Sequence, residues 1–507
     1  MINDPCLETD LPPLSKRFLQ GVAWNVFGKI IVFGSGLLIS IALARGLGPR
    51  KLGIYATLIT IAAVFRLFCN LGLEKILNVK LPSFAVQDEG KARIRFLVSR
   101  IILLRGVTVV LVSFLLWGVY PTVVRFLGRS ELISYSFPLF LYFSVSIFIS
   151  ILYMLHQSLL KIKTVALVDG VEKIGILVFL TIFFAMGLGI QGALFAYVIS
   201  GSIVACILVF LGRDLIWGTK EKGNTGDLIK IGFTSVVYGF VSVGLGSQID
   251  IILMNWFHID SGDIGFYHLG FNLAVMLGLF SQGIGGISQS VFSEAYARNE
   301  PDRLGVAWQM ITKVFVLMAI PFYIFALFYA PSIFKVFYGS EYLNASDILR
   351  VFVLSITIRI IVGSSFCMSA FYLLNLKRKG LSIQILGGIM NLVLDLILIP
   401  LYGVWGAVAA TAFSLALAGV GQSFVLSRKI GVLPPFLFTG KIILACLLAM
   451  IPTLLIKLSS IYALLMAGIL YGVTFLITMT ILKPLGKEEK EMVRIVNPQL
   501  AAVVRYF

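Results

Sequence analysis

Charged and amide side chains standing inside long apolar runs are the residues of this sequence that could do chemistry. Asn25 and Lys29 lie four residues apart in the first such run. Arg66, Asn70 and Glu74 follow at the same spacing in the second, so each set shares a face if the runs are helical. Gln248 and Asp250 stand in a later run, then Gln282 and Gln289, then Arg359, then Gln384, Asn391 and Asp395. Charge is costly in an apolar medium, so such residues face a bundle interior or a wet cavity. Lys29, Arg66 and Arg359 are the deepest cations. They suit an anion, and an arginine can grip phosphate with two parallel bonds. With Asn25, Asn70 and Gln282 as neutral partners they make a candidate cationic binding cavity. The alternative is internal pairing, Arg66 with Glu74 for example. Asp250 is the candidate for coupling to a proton or sodium gradient, because a desolvated carboxylate takes up a proton or cation readily. Asp169, Glu172 and Lys173 read instead as local pairing, with Asp169 and Lys173 at i,i+4.

The elements that must carry these residues are membrane spans. The 507 residues are 59% hydrophobic and 13% charged, with a mean hydropathy of +0.99. A soluble core does not grow to absorb that much apolar surface. A span needs about 20 apolar residues, and about fourteen are predicted: 18–43, 55–77, 96–119, 132–155, 165–186, 190–211, 228–256, 264–291, 310–329, 348–374, 381–401, 404–426, 436–456 and 461–482. These lengths demand helices, since barrel strands are about 10 residues long and alternate in polarity. Trp117, Tyr120 and Trp217, near span ends, read as interfacial anchors.

Lysine and arginine orient the bundle. The loops on the side of both termini hold about 24 of them and the other side about 7. Both termini are therefore expected in the cytoplasm, with Arg45, Arg50 and Lys51 as exceptions on the poor side. This distribution also accounts for the net charge of +17, so nucleic acid is not an expected partner. The five cysteines form no C-x-x-C pair, and the three histidines lack ligand spacing. No metal site, disulfide framework or cofactor is expected. The acidic N-terminal stretch does not read as a secretory signal.

The sequence also repeats. Gly53-Ile54-Tyr55 matches Gly265-Phe266-Tyr267 at an offset of 212 residues, and Gly189-Ile190-Gln191-Gly192-Ala193 matches Gly403-Val404-Trp405-Gly406-Ala407 at 214. Each repeat covers six spans, so the two run parallel, with a path between them. The expected organisation is a cytoplasmic tail 1–17, an N-lobe 18–212, a linker 213–227, a C-lobe 228–427, two further helices within 436–483 and a tail 484–507.

Four segments carry a family resemblance. They are Ala42-Leu43-Ala44-Arg45-Gly46-Leu47-Gly48-Pro49 with Gly53-Ile54-Tyr55-Ala56, then Gln248-Ile249-Asp250 with Gly262-Asp263-Ile264-Gly265-Phe266-Tyr267, then Tyr338-Gly339-Ser340-Glu341-Tyr342, then Asn391 with Ile399-Pro400-Leu401-Tyr402-Gly403-Val404-Trp405-Gly406-Ala407. In this order they resemble the oligosaccharide and polysaccharide flippases, of the O-antigen-flippase type, in the multidrug/oligosaccharidyl-lipid/polysaccharide exporter superfamily. The resemblance implies an all-α integral membrane protein whose two six-helix lobes form a V. It implies alternating access that carries a polyprenyl-pyrophosphate-linked oligosaccharide across the cytoplasmic membrane for cell-surface polysaccharide synthesis. Expected partners are that substrate, membrane lipids and the polymerase or glycosyltransferases of the same pathway. A lipid II-type flippase is one alternative, but its Asp-Ala-Phe and Ile-Pro-Asn pattern is missing where Gly53-Ile54-Tyr55-Ala56 stands. A multidrug antiporter is another, with usually twelve spans. An enzyme is not expected, since loops of about 20 residues hold no paired-carboxylate motif.

Overall fold

A computed structural model describes residues 14–69, 72–85, 90–159, 161–217, 246–278, 301–456 and 460–484, with isolated positions at 292, 296 and 486. Every regular element among them is helical. The N-lobe comprises α1 (Leu14–Cys69), α2 (Leu73–Ala85), α3 (Gly90–Phe126), α4 (Ser136–Ser158), α5 (Ile162–Ala185) and α6 (Gly189–Leu211). The C-lobe comprises α7 (Ser247–Trp256), α8 (Ser261–Leu277), α9 (Pro301–Ile333), α10 (Leu343–Ile361), α11 (Cys367–Leu373), α12 (Lys377–Tyr402) and α13 (Val404–Ile430). Two further helices follow, α14 (Phe436–Met450) and α15 (Ile461–Leu482).

Nine described helices are long and apolar enough to cross a membrane, and a tenth candidate is the pair Ser340–Ile361 and Ser364–Leu373, bent by 80°. The chain is thus an all-helical, multi-pass membrane protein. α5 falls outside that set because Lys163, Asp169, Glu172 and Lys173 dilute its apolar run. The segment 218–245, with most of the expected seventh span, and the second half of the expected eighth lie outside the described residues.

The first two expected spans merge into α1. A single residue separates them, Gly48, at φ 73° and ψ 167°. Glycine takes that positive φ without strain, and Pro49 then opens the next helical stretch at the position where its missing N–H costs nothing. The second span also ends earlier than expected, at Cys69, before a break at Gly72 (φ 72°). Glu74 therefore belongs to a separate helix and does not share the face expected with Arg66, while Asn70 lies outside the described residues. Among the aromatic anchors, Trp117 and Trp217 are exposed as expected. Tyr120 is instead buried, and its hydroxyl donates to the Leu132 carbonyl at 2.6 Å.

The two repeats meet through their matching glycines. α1 packs on α8. A Cβ on Gly53 would stand 1.7 Å from the Ser261 carbonyl oxygen, and one on Gly265 would stand 2.3 Å from that of Pro49. The same end of the bundle is laced by bonds between lobes. Arg45 donates from Nε to the Phe337 carbonyl and from Nη2 to that of Val336, both at 2.8 Å. Tyr342 donates to the Ala44 carbonyl at 2.7 Å. Arg129 donates to Ser261 Oγ at 3.0 Å and to the Ile259 carbonyl. Asn255 donates to Thr57 at 3.0 Å.

α14 and α15 sit outside the repeat, against α9. Tyr329 donates to Thr453 at 2.7 Å and Tyr471 to the Pro321 carbonyl at 3.0 Å. Satisfying hydroxyls on a second hydroxyl or a backbone carbonyl in this way is what an apolar surrounding demands.

Candidate functional site

Asp250 sits near the start of α7 and is fully buried. Three helices bring it partners. Thr411 on α13 donates to Oδ2 at 2.6 Å, Asn391 on α12 donates to Oδ1 at 2.9 Å, and the hydroxyl of Tyr267 on α8 donates to Oδ2. Asn391 also donates to Oδ2 of Asp395 at 3.1 Å and accepts from Thr411 at 3.1 Å. Asp395, one turn after Asn391, is equally buried and shares the Asn391 amide with Asp250. Its Oδ1 has no hydrogen-bond partner. The local sequence explains the geometry: Asn391 and Asp395 are i,i+4 on one helix face, and Gly403 turns the chain so that α13 returns alongside α12.

Two carboxylates this close repel one another, and the low dielectric around them screens little. Either a shared proton or a monovalent cation would offset one of the two charges. Two carboxylates, an amide oxygen and a hydroxyl form an oxygen cage of the kind hard cations take. Asp250 is therefore neither a helix cap nor a solvated residue. Asn391, Asp395, Thr411 and Tyr267 complete a constellation that the sequence reading did not assemble. The signal available was the i,i+4 pair of Asn391 and Asp395 within an apolar run.

The expected cations divide between the lobes. Arg66 is exposed in the last turn of α1, and its charge acts on Tyr142, Cys69 and Arg105. Arg359 lies half-buried in the C-lobe, where its charge acts on Cys367 and Tyr323. Its Nε and the Tyr323 hydroxyl are buried without hydrogen-bond partners. Gly419 makes room for it, since a Cβ there would stand 2.7 Å from Arg359 Cγ. Arg66 and Arg359 thus belong to separate clusters. The side chains of Asn25, Lys29, Asn70 and Gln282 lie outside the described residues.

Glu74 does not pair with Arg66. It accepts from Arg105 Nη2 at 3.2 Å and from Ser150 at 2.8 Å, while Arg105 Nη1 donates to the Cys69 carbonyl at 3.0 Å. Arg105 is 1% exposed and is the most deeply buried cation described. Its role follows from the break at Gly72: a carbonyl freed at the end of α1 and an acid at the start of α2 both need a donor. Lys173 and Asp169 pair at 3.8 Å, as their spacing implied. Glu172 accepts from Tyr153 at 2.8 Å. Among the described residues no group of three histidine, cysteine or acidic side chains could hold a metal.

Comparison with known proteins agrees with this architecture. The family model described as "Polysaccharide biosynthesis protein" matches residues 18–293, and the one described as "MatE" matches 236–375. The probable low-salt glycan biosynthesis flippase Agl15 of Haloferax volcanii is 25% identical over 191 residues, 37% of this chain and 39% of that protein. The probable flippase AglR of the same organism is 24% identical over 199 residues, 38% and 41% of the two chains. The aligned part thus spans about two fifths of either relative. The structure of a lipid II flippase, MurJ, in an inward closed conformation superposes with a TM-score of 0.70 at 18% identity, covering 91% of this chain and 98% of that one. An inward-facing multidrug transporter of the MATE family superposes at 0.64 with 14% identity, covering 81% and 98%. These likenesses give the fold, that of an all-helical membrane transporter, and the family model spans more than half the sequence: the chain belongs to the polysaccharide biosynthesis protein family of membrane flippases and transporters.

Proposed function

We propose that the protein flips a polyprenyl-pyrophosphate-linked oligosaccharide across the cytoplasmic membrane by alternating access, driven by a proton or sodium gradient. The observation that carries this reading is the pairing of a repeat-related, two-lobed bundle with one buried carboxylate pair in the C-lobe. A transporter that spends an ion gradient needs one place where an ion is bound and released within the membrane, and Asp250 with Asp395 supplies it. Arg66 and Arg359, with Lys29, Asn25, Asn70 and Gln282, are proposed to take the diphosphate from the two lobes in turn. The names of the two Haloferax relatives support a glycan-carrying lipid as substrate. Both termini are proposed to be cytoplasmic, which puts the laced end outside and makes this an outward-closed state. Polymerase or glycosyltransferases of the same pathway are proposed as neighbours in the membrane.

The test is reconstitution into liposomes with a fluorescent polyprenyl-diphosphate glycan, following its exposure to an impermeant quencher. Flipping should depend on protein and on an imposed proton or sodium gradient. Absence of flipping under every gradient overturns the reading.

A further inference from the structure

The repeat gives the C-lobe cage a counterpart in the N-lobe, and the counterpart has different chemistry. At the offset of 212 Tyr267 corresponds to Tyr55, and at 214 Thr411 corresponds to Tyr197, while Asn391 and Asp395 correspond to Leu177 and Thr181. No acid occurs in α1 anywhere from residue 32 to 69. The N-lobe has kept the tyrosine and replaced the carboxylates and amide with neutral groups. Tyr55 neighbours Tyr197 and Tyr142 where α1 packs against α6 and α4. Tyr142 stands edge-on to Tyr197, with ring centroids 5.8 Å apart and planes at 88°. In the C-lobe, Phe352 is edge-on to Tyr267 at 5.6 Å and 82°, so each lobe holds an edge-on aromatic pair, although the two pairs are not repeat mates, and only the N-lobe pair carries two hydroxyls.

Tyr55 is buried, but Tyr142, Tyr197 and Glu172 beside it are each half-buried, whereas Asp250, Asp395, Asn391 and Thr411 are closed off. Glu172 lies close enough for its charge to act on both Tyr142 and Tyr197. Tyr153 bonds its Oε2, and no bond occupies Oε1 among the described residues. Arg66 falls on the same face of α1 as Tyr55: eleven residues at 100° each return to within about 20°, roughly 16 Å along the axis.

We propose that Tyr55, Tyr142, Tyr197 and Glu172 form a saccharide subsite inside the N-lobe, with Arg66 at its mouth on the attached phosphate. The proposal rests on the flippase reading above and deepens it. A sugar ring has an apolar C–H face and a rim of hydroxyls. Two phenol rings at a right angle offer the first a wall, because the ring face is electron-rich and the C–H edge slightly positive. Phenol hydroxyls and a carboxylate oxygen offer the second both donors and acceptors. A cation cage could do neither: one lobe holds the ion and the other the sugar.

The experiment compares two probes on the full-length protein in nanodiscs, geranylgeranyl diphosphate and geranylgeranyl diphosphate bearing one sugar. N-acetylglucosamine, glucose, galactose and rhamnose are tried in turn. At least one sugar should tighten binding about tenfold over the bare diphosphate, equal to about 1.4 kcal/mol. Tyr142→Leu and Tyr197→Leu should each cut that ratio to within about twofold of unity, Tyr142→Phe should keep most of it, and Arg66→Ala should weaken both probes by the same factor. Size-exclusion profiles confirm that each variant is folded. If no sugar improves on the bare diphosphate, or both leucine variants keep the wild-type ratio, the subsite is refuted while the flippase reading stands. If neither probe binds, both fall together.

Discussion

Asp250 and Asp395 share one amide donor and lie in a cage closed to solvent, so their behaviour depends on what neutralises the second charge. Asp395→Asn should make flipping insensitive to the gradient that drives it and slow it at least tenfold, measured as initial rates in liposomes at several proton and sodium gradients. Asp250→Asn that kept full transport under all of them would remove Asp250 from the mechanism. Arg105→Ala strands Glu74 and the Cys69 carbonyl in the N-lobe. Breaking such a pair costs about 3 kcal/mol, and thermal unfolding in detergent should show it. Replacing both with leucine should restore part of the loss. Several individual polar residues were legible because they interrupted an apolar run, as Asp250, Asn391 and Arg359 do. Their partnerships were not. Asp250 meets Asn391 and Thr411 across 141 and 161 residues of sequence, and only tertiary packing fixes that. Arg105 escaped notice inside an otherwise apolar stretch, and the Arg66–Glu74 pairing failed because Gly72 breaks the helix between them.

At the scale of the element, the hydrophobic runs told most of the story, because a bilayer imposes length and periodicity together. Helix ends were less legible. A kink of one residue at Gly48 leaves hydrogen-bonded helix on both sides, so the run length alone cannot separate one long helix from two spans. The seam between α1 and α8 supplies a sharper expectation. Gly53→Ala places a methyl 1.7 Å from the Ser261 carbonyl oxygen, a distance no side-chain adjustment relieves. The two helices must separate there. The variant should insert and fold but favour the state open at this end, so a cysteine at the buried position Asn255 should react with a thiol reagent several-fold faster than in the Gly53 parent.

For the whole molecule, orientation is the testable quantity. With Cys206, the exposed member of the described cysteines, replaced by serine, cysteines at Lys91 and Lys377 should label from the cytoplasmic side and one at Asp260 from outside. Labelling of the Lys377 site from outside would reverse the bundle. The arginine that broke the charge rule at the first turn now has a reason to be there: Arg45 is spent on the carbonyls of Val336 and Phe337 in the opposite lobe, so it acts as a latch and does not report topology. The repeat was legible as a pattern of glycines and tyrosines. That the glycines touch, and that the tyrosines face opposite interiors, was not.

That latch has a consequence for control. Arg45 and Arg129 grip backbone carbonyls and a serine hydroxyl. None of these acceptors is a carboxylate. Yet the Ile259–Ser261 turn that Arg129 holds joins α7, which carries Asp250, to α8, which carries Tyr267. An ion bound at the carboxylates, as proposed above, would touch none of these bonds itself. It can only pull on the hairpin from below, as a rope rings a bell it never touches.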